Sequence, residues 1–153
     1  MIDLSIIIPC YNESKSLPRL FNACLNICSD RKNIQFIFVN NGSSDDTQIV
    51  LDQLLSQEKY SFGKSVLVPI NKGYGFGILQ GLAVAEGKIL SWTHADLQTD
   101  PNDIVHAYEL FKVELESNIC IVKGQRKGRN IFDNIFTAGM SLISSLYLKQ
   151  RLW

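Results

Sequence analysis

A surplus of charge is the first thing this 153-residue chain lacks, because fifteen Lys and Arg offset fifteen Asp and Glu. A protein that holds nucleic acid by its phosphates needs a basic excess, so no nucleic-acid partner is expected. The four cysteines (Cys10, Cys24, Cys28 and Cys120) show no CxxC spacing, and the two histidines, His94 and His106, stand at no finger-like distance from them. They read as buried thiols of a reduced, cytosolic protein rather than as a zinc site. Long apolar runs are missing too. The longest uncharged stretch, Asn134 to Leu148, is rich in Ser and Thr and falls short of the ~20 apolar residues that cross a bilayer. Met1–Ser5 carries neither a basic n-region nor an apolar h-region, so no secretory signal is read. The expected location is the cytosol or the cytosolic face of a membrane.

Two further absences narrow the chemistry. The turn after the first apolar run, Pro9-Cys10-Tyr11-Asn12-Glu13, has no glycine. A dinucleotide fold needs glycines there to bring backbone against a pyrophosphate, so a nicotinamide cofactor is not expected. The same turn is not the basic glycine-rich loop of a nucleotidyltransferase, and the chain contains no GxxxxGK[ST] phosphate loop.

What is present alternates. Leu4–Ile8, Ile34–Val39, Val66–Ile70, Ile89–Trp92 and Ile119–Val122 are short, nearly continuous β-branched runs. Such strands are covered on both faces, as in a parallel sheet. Between them lie helical patterns at 15–29, 46–58, 75–86 and 101–116. Leu17, Leu20, Phe21, Cys24, Leu25 and Cys28 line one side of the first. Ser44-Asp45-Asp46 offers caps to the second, and Asp100-Pro101 opens the fourth. The alternation predicts an α/β fold, an open and mostly parallel sheet with helices on both faces. Ligands of such sheets sit beyond the carboxyl ends of the strands. Those ends here are polar and turn-forming: 9–13, 40–46, 71–77 and 94–101.

Read in order, these loops resemble glycosyltransferase family 2. The resemblance rests on P-x-Y-N-E at 9–13, a DDGS-x-D-x-T-like segment at 40–47, N-x-G-x-G at 71–75, a DADLQ-like segment at 94–98 and Gly124-Gln125-Arg126. The wording at 94–98 is similar to that of the polyprenyl-phosphate hexosyltransferases, the dolichol-phosphate mannose synthase type. The resemblance implies a Rossmann-like GT-A nucleotide-sugar-binding core over 1–130. It also implies a divalent cation, Mg or Mn, because a departing diphosphate needs a cation among oxygen ligands. The family pattern assigns Asp96 to the metal and to catalysis, with Gln98, two residues on and on the same side of an extended segment, as an auxiliary ligand. Pro9, Tyr11, Glu13, Asn40, Lys72, Gly73, Ala95 and Asp96 fall on its nucleotide-binding positions. Arg126 suits a bidentate clamp on phosphate oxygens and completes the catalytic set.

The chain departs from the pattern where His94 replaces the first Asp of DxD, and where Asn40-Asn41 replace Asp-Asp. His94 is either a packed or capping residue or a metal ligand. Asn40 either completes a turn or reads a base edge through its carbonyl. Glu13 is either a nucleotide contact or a cap for the following helix. Gly73, Gly75 and Gly77 either approach a ligand or allow tight turns and close packing. Both replacements remove negative charge, so either the metal site is weaker than usual or the metal is held mainly by the substrate's diphosphate.

Charge is unevenly spread. Residues 1–122 hold nine basic and fourteen acidic side chains (−5), and residues 123–153 six and one (+5). Over 131–153, Ile131, Ile135, Ala138, Leu142 and Leu146, flanked by Phe132, Phe136, Met140, Ile143 and Tyr147, give an amphipathic helix with about half its circumference apolar. It either packs on protein or lies on a membrane surface. The expected function is inverting transfer of a hexose from a UDP- or GDP-sugar to a lipid-phosphate or saccharide acceptor. A polyprenyl phosphate or the membrane itself would meet the basic C-terminal segment. The rival reading is a non-catalytic nucleotide-sugar binder or incomplete piece, with 131–153 the start of an acceptor-side region. Such a piece is expected to self-associate, as a homo-oligomer, or to need further sequence.

Overall fold

The computed structural model describes residues 1–117, 120–124, 138–140, 142–143 and 145–147. They divide into two compact units, Met1–Ile121 and Val122–Trp153.

The first unit is a four-stranded, all-parallel sheet in the order β3-β2-β1-β4. Strand β1 (Leu4–Cys10) pairs in register with β2 (Ile34–Asn41) on one side and β4 (Ile89–Trp92) on the other. β1 is buried at every residue and β2 at all but one, as their unbroken apolar runs predict. β3 (Gly63–Val68) and β4 depart from that reading. Among the described residues they are edge strands, each with a neighbour on one flank, and the helices cover them incompletely. Leu90 and Trp92 on β4 stay 47% and 49% exposed, and Leu67 on β3 59%. β3 also lies earlier than the expected Val66–Ile70, because Pro69 has no N–H to give a ladder and ends it.

Helices α1 (Leu17–Cys28), α2 (Thr47–Leu55) and α4 (Pro101–Leu110) pack on one face of the sheet. They share a core with Leu4, Ile6, Ile8, Phe36 and Phe38. In it Phe21 stacks on Phe38 at 4.2 Å, and the edge of Tyr60 meets Phe21 at 5.1 Å. Helix α3 (Tyr74–Leu82) covers the other face over Ile7, Ile37, Val39 and Val68. The close packing needs Gly81, where an added Cβ would lie 2.4 Å from Ile7 Cγ2.

The expected fourth helix over 101–116 is two. Phe111 leaves helical backbone geometry (φ −112°, ψ 18°) and ends the first, and α5 (Lys112–Ser117) follows. A strand was expected at Ile119–Val122. Residues 120–124 form none, and Ile119 lies outside the described residues. Of the amphipathic helix expected over 131–153, residues 138–140, 142–143 and 145–147 are helical. Met140, Leu142, Ile143, Leu146 and Tyr147 are exposed apolar side chains there, except that none of the remaining residues of 131–153 is described. No helix among the described residues is long and apolar enough to cross a membrane.

Strand order now locates a crevice. The chain moves from β1 outward through β2 to β3, then returns to the far side of β1 as β4. Between β1 and β4 the direction of winding switches, and the ligand crevice of an open α/β sheet lies beyond the carboxyl ends at that point. The loops that flank it are those after Cys10 and Trp92.

Candidate functional site

Four loops leave the carboxyl ends of the strands, and each is tied to the next. The first and second are joined by backbone donors meeting short side chains. Asn12 N–H donates to Ser43 Oγ at 3.0 Å, Glu13 N–H to Thr47 Oγ1 at 2.8 Å, and Ser14 N–H to Asp45 Oδ2 at 3.2 Å. In return Ser44 N–H donates to Asn12 Oδ1 at 2.8 Å. Asn12 makes this exchange from a left-handed backbone conformation (φ 57°), which Asn tolerates better than most residues. A groove of about 550 Å³ between these two loops is lined by Asn12, Glu13, Ser14, Lys15, Ser16, Asp45 and Asp46.

Asp45 carries the most perturbed carboxylate of the site. Burial pushes its pKa upward, but hydrogen bonds from Ser14 and Thr47 outweigh that and lower it to about 2. One of its oxygens also accepts from the N–H of Thr47, the first residue of α2, so Asp45 rather than Asp46 caps that helix.

The second and third loops meet through Asn41. Its side chain is buried, and its amide donates to the Gly73 carbonyl at 3.0 Å. Gly73 N–H in turn donates to Asn71 Oδ1 at 2.7 Å. Gly73 has φ 95°, a conformation that costs a glycine little, and it starts α3. The third and fourth loops meet through two rings. Tyr74, the first residue of α3, stacks on His94 with ring centroids 5.0 Å apart and planes 11° from parallel. Burial, and after it the charge of Asp96, pushes the Tyr74 hydroxyl above its ordinary pKa.

At the switch point, Thr93 N–H donates to the Ile7 carbonyl at 3.0 Å and Ala95 is buried, so the base of the fourth loop is fixed to β1. Its tip, Asp96 and Gln98, is exposed. The extended segment expected here is absent. Leu97 has φ 60°, and Gln98 N–H donates to Asp96 Oδ1 at 3.0 Å, an Asx turn that reverses the chain.

The other expected residues fall as follows. Pro9 is buried at the end of β1 and Tyr11 is half exposed beyond it. Glu13 accepts from the Ser16 hydroxyl, and its carbonyl accepts from Ser16 and Leu17 N–H, so it closes the turn into α1. Asn40 is 3% exposed; its amide donates to Gln48 Oε1 at 2.9 Å and its carbonyl accepts from Ser43 N–H at 3.1 Å. Lys72 is exposed with Nζ over the Phe76 ring at 5.1 Å. Arg126 lies outside the described residues. Sequence reasoning did not single out Asn12 and Tyr74, and named Asn41 only with Asn40 as a departure from Asp-Asp. Asp45 was read only as part of a cap, although the D-x-T of its segment was the available signal.

The donor set at the loop tip can be tested against a cation. Among the described residues no three His, Cys, Asp or Glu side chains converge on one point. Asp96 offers one carboxylate and Gln98 one amide carbonyl. That is a fit for Mg²⁺ or Mn²⁺ arriving with a diphosphate, since such ions keep waters and take substrate phosphate oxygens as ligands.

Known proteins resemble this chain in sequence and in fold. Residues 5–143 match the profile of the family described as glycosyl transferase family 2. Undecaprenyl-phosphate 4-deoxy-4-formamido-L-arabinose transferase of Proteus mirabilis (strain HI4320) is 31% identical over 104 residues, which is 66% of this chain and 31% of that protein. The chain therefore spans about a third of that relative. Staphylococcus aureus TarS 1–349, solved with UDP-GlcNAc, superposes with a TM-score of 0.63 at 20% identity, over 85% of this chain and 37% of that one. A mannosyltransferase of Pyrobaculum calidifontis, solved with GDP-Man and Mn²⁺, gives 0.56 at 20% identity, over 61% and 27%. The structural likenesses carry the fold, which is the GT-A type.

Proposed function

Because this chain belongs to glycosyl transferase family 2, we propose that its four stitched loops bind a nucleoside-diphosphate sugar for transfer of a hexose to a lipid-phosphate or saccharide acceptor. The observation that carries the reading is the continuity of the rim: loop one to two, two to three through Asn41, and three to four through Tyr74 and His94. The rim runs from the first loop to the fourth, with Asp96 at an exposed tip. Tyr11, Glu13 and Lys72 border the nucleoside end. Asp96 and Gln98 would hold a cation that neutralises the developing charge on the diphosphate.

The reaction is a single displacement. An acceptor oxygen forms a bond to the anomeric carbon from the side opposite the diphosphate. The bond from that carbon to the diphosphate oxygen breaks, and its electron pair leaves with the nucleoside diphosphate. A lipid phosphate is already ionised at neutral pH and needs no general base, whereas a sugar hydroxyl does. The Proteus relative is named for an undecaprenyl-phosphate substrate, and the +5 segment at 123–153 suits an anionic acceptor or surface. Arg126 serves as the phosphate clamp, and the donor is a UDP- or GDP-sugar.

A second reading, a nucleotide-sugar binder without turnover, is favoured by one observation. Asn40 and His94 stand at positions that the family uses for ligands, and both are engaged within the protein. Thermal shift with UDP, GDP and CDP, each with and without Mn²⁺, tests binding. Release of nucleoside diphosphate that depends on acceptor separates the readings. A chain that no nucleotide stabilises would overturn both.

A further inference from the structure

Asp96 stands at the tip of a loop whose base is well anchored and whose sides are not. Thr93 is bonded to β1 and Ala95 is buried, but beyond them the loop's hydrogen bonds among the described residues are its own Asx turn and, at its far end, the Asp100 cap on α4. Such a turn fixes the shape of a tip without fixing where the tip stands relative to its neighbours. The lateral contact is aromatic. His94, two residues before Asp96, lies parallel to Tyr74 at 5.0 Å, and Tyr74 belongs to the first turn of a different element, α3. Tyr74 is itself anchored. It follows Gly73, whose carbonyl is held by the buried Asn41 and whose N–H is held by Asn71.

We infer that Tyr74 is a positioning residue for donor binding: by stacking on His94 it holds the fourth loop against the start of α3 and sets where the Asp96 carboxylate meets the diphosphate. The raised pKa of its hydroxyl, owed partly to Asp96, agrees with that closeness. His94 thus has work as a ring. The first position of the metal-binding segment, which lacks a carboxylate, braces the position that has one. This inference rests on the donor-binding reading above.

The test is calorimetric titration of the full chain with UDP and GDP in Mn²⁺, using uridine and guanosine as phosphate-free controls. Tyr74→Leu removes the stack and should weaken diphosphate binding about three- to ten-fold, the range expected from an aromatic pair. Nucleoside binding should not change, since a general loss of structure would weaken both. Tyr74→Phe and His94→Phe keep two facing rings and should restore binding to within about two-fold of the parent, well inside the ~10-fold that 1.4 kcal/mol represents. His94→Ala should reproduce the selective loss, and carries the test should Tyr74→Leu not fold. The double variant Tyr74→Leu/His94→Ala should lose no more than either single one. Equal weakening of nucleoside and diphosphate, additive losses, or unchanged binding in Tyr74→Leu would each overturn the role of Tyr74 while leaving donor binding standing. A parent chain that binds neither UDP nor GDP would overturn the donor reading first and this one with it.

Discussion

Asp45 links the first two loops by accepting from Ser14 and from Thr47, and the link depends on its charge. Its folded-state pKa, about 2, lies below the ordinary 3.8. A depressed carboxylate pKa contributes stability that is fully present above the unfolded value and is lost as pH falls through the folded one. Asp45→Asn should therefore lower the melting temperature at neutral pH, and its difference from the parent should shrink as pH drops from about 4 towards 2. A difference that stays constant over that window would show that the charge of Asp45 does not serve the loops. Asp96 gives the opposite expectation. It is exposed and, among the described residues, hydrogen-bonded only to its own turn, so Asp96→Ala should leave the melting temperature of the free chain nearly unchanged. It should abolish the part of nucleotide stabilisation that needs Mn²⁺. His94→Asp restores a second carboxylate but removes the ring stacked on Tyr74, so it should weaken nucleotide binding while making what remains more dependent on Mn²⁺. At this scale the sequence announced which residues gather at the loops, but not how each is spent. Glu13, Asn40 and Asn41 were legible as polar residues at the strand ends. The bond from Asn41 to Gly73 was not, because a partner 32 residues away becomes a partner only once the strands align two loops.

Elements were legible where burial alone shapes them. β1, β2 and α1 follow from continuous or periodic apolar residues. The edges were not, because Leu67, Leu90 and Trp92 read as core while their strands, among the described residues, have a neighbour on one flank. Where a strand ends up in a sheet is a property of the sheet, and no local pattern encodes it. The contact between α3 and the sheet offers a sharper test. Gly81→Ala would set a methyl 2.4 Å from Ile7 Cγ2 and 3.0 Å from Val39 Cγ2, both side chains of buried strands with no room to yield. Overpacking of this kind costs ~1–3 kcal/mol, so the melting temperature should fall by roughly 2–12 °C. Because α3 also carries Tyr74, nucleotide binding should weaken alongside. An unchanged melting temperature would mean that the helix can lift from the sheet at little cost.

The molecule as a whole is divided by charge, −5 over residues 1–122 and +5 over 123–153. Flotation with anionic vesicles at low salt should recover the chain with the lipid, and ~0.5 M salt should release it, since the Debye length then falls to about 4–5 Å. Recovery with neutral vesicles alone would count against a role for the basic segment. The chain spans 31% of the Proteus relative, and Met140, Ile143, Leu146 and Tyr147 present exposed apolar side chains. Light scattering should accordingly show self-association, and acceptor-dependent release of nucleoside diphosphate should be slow. A monodisperse monomer with brisk turnover would refute both expectations. The seams between the four loops have a bearing on how any of these measurements is read. Apart from Asp45, the groups that meet across them are amides, hydroxyls, backbone and rings. Added electrolyte weakens attraction between ions but leaves such neutral contacts almost untouched. A titration of ligand affinity against salt would then leave the vessel unchanged and register only the ionic grip on what it holds.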